Sequence, residues 1–209
     1  KWTKDGIKGE IFKDVLKTFK NIPNYSVKYK LVHAKDYGVP QNRPRILIIG
    51  IRSDIDSDKN DTLDALDGGF LPLPEFDYPH IEEVFSDIVD RNFEYGGTTN
   101  SYPSEPKTFW QEEIRTKKRT IFSKGDPLTE HEYSNHSERI REKFAYMIEN
   151  NGEIPEHLKT KKFAQRLLPK KWGNKGPTIT VTSLPDDFVH YSQARSPSVR
   201  EWARLQTFP

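Results

Sequence analysis

The sequence predicts an α/β fold, made of the edge of a larger sheet and an irregular, loop-rich second region. Three observations carry this. A helix-period segment near the start is followed by an alternating strand and an unbroken aliphatic strand; a long central stretch is rich in proline and nearly free of periodicity; and the chain closes on an alternating strand and a capped helix. Only 33% of the 209 residues are hydrophobic and mean hydropathy is −0.84, yet 12 Phe, 9 Tyr and 4 Trp remain to build cores.

The elements follow in chain order. Ile7, Ile11, Phe12, Val15, Leu16 and Phe19 recur at helical spacing, which predicts an amphipathic helix over residues 6–20, stopped before Pro23. Val27, Tyr29 and Leu31 alternate with Lys28 and Lys30, a half-buried strand over residues 25–33. Ile46 to Ile51 is unbroken aliphatic sequence apart from Gly50 and reads as a strand buried on both faces. Residues 53–176 show one clear helix, Ser137 to Asn150. Ser137 is its N-cap, Ile140, Phe144, Met147 and Ile148 its apolar face, and Gly152 its stop. Thr178 to Thr182 alternates as a strand. Ser198-Val199-Arg200-Glu201 is a capping-box pattern opening a helix with apolar positions Val199, Trp202, Ala203 and Leu205.

Composition excludes several kinds of chemistry. With no Cys there is no disulfide framework, no thiolate metal site and no cysteine nucleophile within these residues. The longest apolar run has six residues, against the ~18 a membrane-spanning helix needs. The acidic stretch beginning at Asp54 lacks the glycine and the bidentate glutamate of a calcium loop, with Lys59 and Ala65 in their places. Residue 1 is Lys and the only Met is Met147, so the chain reads as a piece or a processed product, and no secretory leader opens it.

A formal net charge of +2 conceals an asymmetry: residues 53–94 carry −11 and the remainder +13. Two basic clusters stand out, Arg115, Lys117, Lys118, Arg119 and Lys124 in one, and residues 159–175, with Lys161, Lys162, Lys170 and Lys171, in the other. Each has aromatics nearby, a combination suited to a polyanion, although a solvated lysine-rich face fits the same residues. The acidic segment is expected to face solvent. Between the first two strands, Gly38, Pro40 and Pro44 shape a tight loop in which Gln41, Arg43 and Arg45 alternate toward one side. An amide and two guanidiniums so placed can clamp phosphate oxygens and a carbonyl edge, and a hairpin loop with solvated arginines is the bland alternative.

That loop, Tyr37-Gly38-Val39-Pro40-Gln41-Asn42-Arg43-Pro44-Arg45, with the following strand ending Gly50-Ile51-Arg52, resembles the Gln-x-Arg-x-Arg motif of the DNA (cytosine-5) methyltransferases. Arg195-Ser196-Pro197-Ser198-Val199-Arg200-Glu201-Trp202 and the residues through Pro209 resemble the late helix motif of the same family, and Thr178 to Thr182 stands where that family has the strand leading into it. The resemblance implies that residues 1–52 are the edge of an S-adenosylmethionine-dependent methyltransferase sheet and residues 53–176 a target-recognition domain. Residues 177–209 would then return to the catalytic domain.

The implied function is target recognition and base positioning for a sequence-specific cytosine-5 DNA methyltransferase of a restriction-modification system. Arg45 would contact the extruded cytosine, and Arg43 and Gln41 would hold the sugar-phosphate. Arg195 and Arg200 would brace the late helix against the recognition domain and the DNA backbone, while Arg200 and Arg204 pairing locally with Glu201 is an equal alternative. The family's cysteine nucleophile, its glutamate and its Gly-rich cofactor turn are not in this sequence. The chain therefore resembles a C-terminal portion that is inactive alone, with S-adenosylmethionine expected in the parent enzyme and not here. The implied partners are double-stranded DNA and an N-terminal catalytic half, with no membrane, in the cytoplasm or on the nucleoid. A separate DNA-binding subunit of a split methyltransferase and an RNA-acting member of the family are the alternatives.

Overall fold

A computed structural model describes residues 9–55, 77–159, 165–173, 176–179 and 187–209. Helix α1 spans Glu10–Lys20, entered from Gly9 in the left-handed region and ended at Asn21; the part of the expected helix before residue 9 lies outside the described residues. Strands β1 (Tyr25–His33) and β2 (Pro44–Arg52) form an antiparallel hairpin running from Tyr25 opposite Arg52 to His33 opposite Pro44. This register puts Val27 and Tyr29 on one face and Ile51 on the other: Val27 and Ile51 are both buried, and the Phe12 ring of α1 meets Tyr29 edge-on at 5.4 Å.

β2 is not buried on both faces. Ile46 is 47% exposed, Leu31 on β1 57%, and α1 leaves Ile11, Val15 and Phe19 open. Continuous aliphatic sequence signals a strand with two covered faces. Among the described residues β2 pairs only with β1, and α1 covers part of one face.

The rest is built from short elements: α2 (Ile81–Phe85), α3 (Phe109–Arg115), the tight hairpin β3 (Thr116–Lys117) and β4 (Thr120–Ile121), α4 (Glu138–Glu149), β5 (Arg166–Leu167), β6 (Phe188–Val189) and α5 (Val199–Arg204). α4 occupies its expected place, packing Phe144 and Met147 against Val189. Gly152, at φ +92°, donates its N–H back to Met147 and closes the helix; Ser137 stands at the N-cap position without a side-chain cap bond. Helices α2 and α3 were not expected. At five and seven residues they are too short to display a period, and their ends are made by polar side chains. Glu83 accepts the His80 N–H at 2.8 Å, and buried Gln111 donates from Nε2 to the Glu83 carbonyl and to Ser86 Oγ, joining α3 to α2.

The main core draws Ile81, Val84 and Phe85 together with Leu168, Trp172, Ile179, Phe188, Tyr191, Trp202 and Leu205. Ile179, Phe188, Tyr191, Trp202 and Leu205, from beyond the expected boundary at 176/177, thus share a core with residues of the loop-rich region. α5 opens with the expected capping box, Ser198 and Glu201 each accepting the other's backbone N–H. Its apolar stripe differs from expectation in one position, since Val199 is 60% exposed while Trp202 and Leu205 are buried. Thr178 and Ile179 lie in no strand, and Thr180 to Thr182 fall outside the described residues. Among the described residues the strand of this region is β6, parallel to β5. Gly176 is required by packing, because a Cβ there would fall 1.7 Å from the Trp172 ring.

Candidate nucleic-acid interface

The loop between β1 and β2 is held from within. Ala34 to Tyr37 makes one 3-10 turn, Gly38 reverses it at φ +76°, and the Ala34 N–H donates to the Arg43 carbonyl at 3.1 Å. Residues 41–43 then zip onto residues 177–179 and α5. Gln41 is buried, donating from Nε2 to the Leu205 carbonyl at 3.1 Å and accepting from the Ile179 N–H at 3.3 Å. Asn42 donates its N–H to the Pro177 carbonyl, Thr178 Oγ1 donates to the Asn42 carbonyl, and Arg43 donates to the Ile179 carbonyl. Gln41 and Arg43 therefore do not converge with Arg45 on one open side. Their polar heads satisfy main-chain groups of a distant segment, a demand that no local spacing displays. Arg45 alone faces outward, its guanidinium on the Pro44 carbonyl at 2.7 Å.

Two of the cations expected to meet DNA are buried instead. Arg115 donates from Nε to Asp87 Oδ2 at 2.7 Å and from Nη2 to the Ser104 carbonyl at 2.8 Å, with its plane 3.9 Å over the Tyr102 ring. Arg204, from α5, takes the same carboxylate, with Nη2 at 3.0 Å from Oδ2. Asp87, expected to face solvent with its acidic neighbours, is instead buried and shared between two guanidiniums. Arg195 is also fully buried, in a bidentate pair with Glu201, and cannot reach a phosphate. It ties the segment entering α5 to the helix, and the expected contact with the DNA backbone is corrected. Arg200 ties α5 to the Thr129 carbonyl and Oγ1, so neither Arg200 nor Arg204 pairs with Glu201.

Burial pushes the Glu201 carboxyl up, but the charge and hydrogen bonds of Arg195 outweigh it and hold the group ionised, well below the ordinary carboxylate range. Beside it, burial takes His190 down to about 3. The imidazole is neutral, Nδ1 accepting the Ser192 and Gln193 N–H groups and Nε2 facing Glu201 at 3.4 Å. His131, lowered by burial, spans Ser198 Oγ at 2.7 Å and the Ile88 carbonyl at 3.0 Å. His131 has both ring nitrogens bonded to protein, His190 only Nδ1, and both rings are fully buried, out of reach of an outside molecule. The sequence reading missed His131, Asp87 and Gln111 because partners of each lie tens of residues away, and His190 because its burial against Glu201 comes from tertiary packing.

The exposed cations sit elsewhere. Lys118 (φ +50°) and Arg119 (φ +69°) form the two-residue tip between β3 and β4, with Lys117 beside them; all three are exposed. Lys171 is exposed, and Lys170 lies 3.9 Å from Glu82. Lys161 and Lys162 fall outside the described residues. A cleft of about 400 Å³ separates the Tyr37–Pro40 loop from α3, lined by Tyr37, Pro40, Pro79, Trp110 and Ile114. No metal-ligating cluster occurs among the described residues, and none of their helices is long and apolar enough to cross a membrane. Gly9 and Gly38 serve a helix entry and a loop reversal, and among the described residues no glycine-rich turn leads from a strand into a helix.

Comparison with known proteins places these features in a wider frame. The family model described as C-5 cytosine-specific DNA methylase matches residues 4–209. The Type II methyltransferase M.DdeI of Desulfomicrobium norvegicum is 28% identical over 217 residues, covering 94% of this chain and 48% of that protein. M1.HphI of Haemophilus parahaemolyticus is 29% identical over 188 residues, covering 88% and 39%. The chain spans about half the length of the curated relatives it matches, or less. A solved E. coli structure, assigned as a DNA modification methyltransferase encoded within a prophage, superposes with a TM-score of 0.61 at 18% identity, over 97% of this chain and 55% of that one, a likeness of fold.

Proposed function

The chain belongs to the C-5 cytosine-specific DNA methylase family, and from that premise we propose that it supplies target recognition and base positioning for a sequence-specific cytosine-5 DNA methyltransferase. The observation that carries the reading is the seam of residues 41–43 against residues 177–179 and Leu205. It joins the β1–β2 hairpin to the loop-rich region, so that outward-facing Arg45 keeps a set position relative to whatever that region grips.

In this reading double-stranded DNA is held by the exposed cations Lys117, Lys118, Arg119, Lys170 and Lys171, whose phosphate contacts supply affinity, while loops of the central region read base edges. The reacting atom of cytosine is inaccessible in the stack, so the base is extruded, and Arg45 meets it. Gln41 and Arg43 act as positioning residues for that loop. The sequence has no Cys, so the nucleophile comes from a catalytic half, which also holds S-adenosylmethionine, the methyl donor. The open apolar residues Leu31 and Ile46 and the exposed side of α1 are where such a half packs. The site of action is the cytoplasm or the nucleoid. As it stands, the chain binds without methylating.

The test is anisotropy titration of the 209-residue chain with a labelled DNA duplex. Micromolar-range or tighter binding that weakens as salt rises supports the reading; no binding, or binding indifferent to salt, overturns it.

A further inference from the structure

The β3–β4 hairpin combines three features that a passive surface turn does not need. Its two-residue tip holds both central residues in the left-handed region, Lys118 at φ +50° and Arg119 at φ +69°. Turns of this kind favour Asn-Gly, because side chains beyond Gly, Asn and Asp are strained there. The chain keeps instead the two longest cationic side chains at the strained positions, and among the described residues no carboxylate, carbonyl or ring engages the side chain of Lys117, Lys118 or Arg119. The base of the hairpin, by contrast, is anchored. Phe122 donates its N–H to the Arg115 carbonyl at 3.2 Å, Arg115 returns Nη1 to the Phe122 carbonyl at 3.1 Å, and the Phe122 ring stacks on Tyr102. Arg115 itself is clamped by Asp87, which Arg204 holds from the other side. The result is a narrow two-stranded ribbon on a rigid buried mount, ending in a free guanidinium.

We propose that this tip is a base-reading element: the hairpin enters the DNA major groove and Arg119 recognises a guanine, with Lys118 on an adjacent phosphate. The inference rests on the DNA-recognition reading above and adds a residue and a base to it. A two-stranded ribbon fits the major groove, and a guanidinium meets guanine O6 and N7 with two parallel hydrogen bonds, which an ammonium cannot reproduce. Strain at a position whose side chain does nothing for the fold fits a function outside the fold.

The experiment is selection from a randomised DNA duplex library, with sequencing of the bound pool, for the 209-residue chain and two variants. Arg119→Lys keeps the charge and removes the fork. Lys118→Asn combined with Arg119→Gly installs the preferred turn, so its melting temperature holds or rises and the hairpin is preserved. The inference predicts that the unaltered chain enriches a motif containing a guanine. In both variants that single position becomes degenerate, with preference for guanine falling roughly five- to 150-fold, while the other positions persist. An unchanged motif in both variants overturns the inference and leaves the proposed function standing, as does a uniform loss of affinity with the motif intact. Failure of the unaltered chain to bind the library at all overturns the proposed function, and this inference with it.

Discussion

Arg195 and Glu201 meet in a fully buried bidentate pair, with Nη1 2.7 Å from Oε2 and Nη2 2.6 Å from Oε1. The same Glu201 closes the capping box of α5 by accepting the Ser198 N–H. One carboxylate therefore sets both the start of the helix and the path of residues 195–198 leading into it.

Replacing Glu201 by Gln leaves Arg195 buried and unpaired, which costs about 3–5 kcal/mol. Urea unfolding should show this as a lowered midpoint at nearly constant slope. A loss below ~1 kcal/mol would mean that the pair is exposed in solution.

Stability should fall as pH is lowered from neutrality. The folded-state pKa of His190 lies near 3, below its ordinary 6.5, so the unfolded chain binds the proton first; the stability is complete above pH 6.5 and is lost as pH falls toward 3. The slope for that group is about 1.4 kcal/mol per pH unit. His131 adds in the same direction below 6.5, and Glu201, held low, adds a further loss once pH passes below its ordinary 4.5. His190→Asn, whose Oδ1 can accept the Ser192 and Gln193 N–H groups in place of Nδ1, should flatten the profile between pH 6.5 and 4.5. An unchanged profile in thermal melts would show that His190 protonates freely.

Gln41→Ala should free the loop rather than unfold the chain. It strands the Ile179 N–H and the Leu205 carbonyl, at a cost of about 1–3 kcal/mol. Hydrogen exchange should speed up at Asn42 and Ile179 and remain slow in α4. Equal acceleration everywhere would mean that Gln41 supports the global fold instead of the seam.

Gly176→Ala drives a methyl group into the Trp172 ring. The ring must leave its place against Tyr78, 4.3 Å away, and give up the hydrogen bond from Nε1 to the Pro79 carbonyl. The expected result is a red-shifted Trp emission and a lower melting temperature; an unaltered spectrum would contradict the packing.

What the sequence made legible is what local pattern encodes. α1, β1 and α4 followed from spacing, and the Ser198–Glu201 box from residues three apart that bond each other. The two terminal motifs pointed to the family that the whole-chain match then showed. Burial of charge was not legible. Arg115 and Arg119 belong to one basic run, yet one is locked to Asp87, 28 residues earlier, and the other stands free. A guanidinium's fate depends on whether a distant carboxylate is brought to it, and that is settled by tertiary packing. The same holds for Gln41, whose partners are 138 and 164 residues away. The aliphatic run of β2 misled for a related reason: it encodes a covered strand without encoding what covers it.

The most direct test is the salt dependence of duplex binding, measured for the unaltered chain, for Lys118→Ala with Lys171→Ala, and for Arg115→Met. Each exposed cation that neutralises a phosphate contributes about one unit to the slope of log affinity against log salt. The account predicts a slope smaller by about two for the double lysine variant. For Arg115→Met it predicts lower stability with the slope of the folded fraction unchanged. A slope that drops for Arg115→Met and holds for the lysine variant would contradict it.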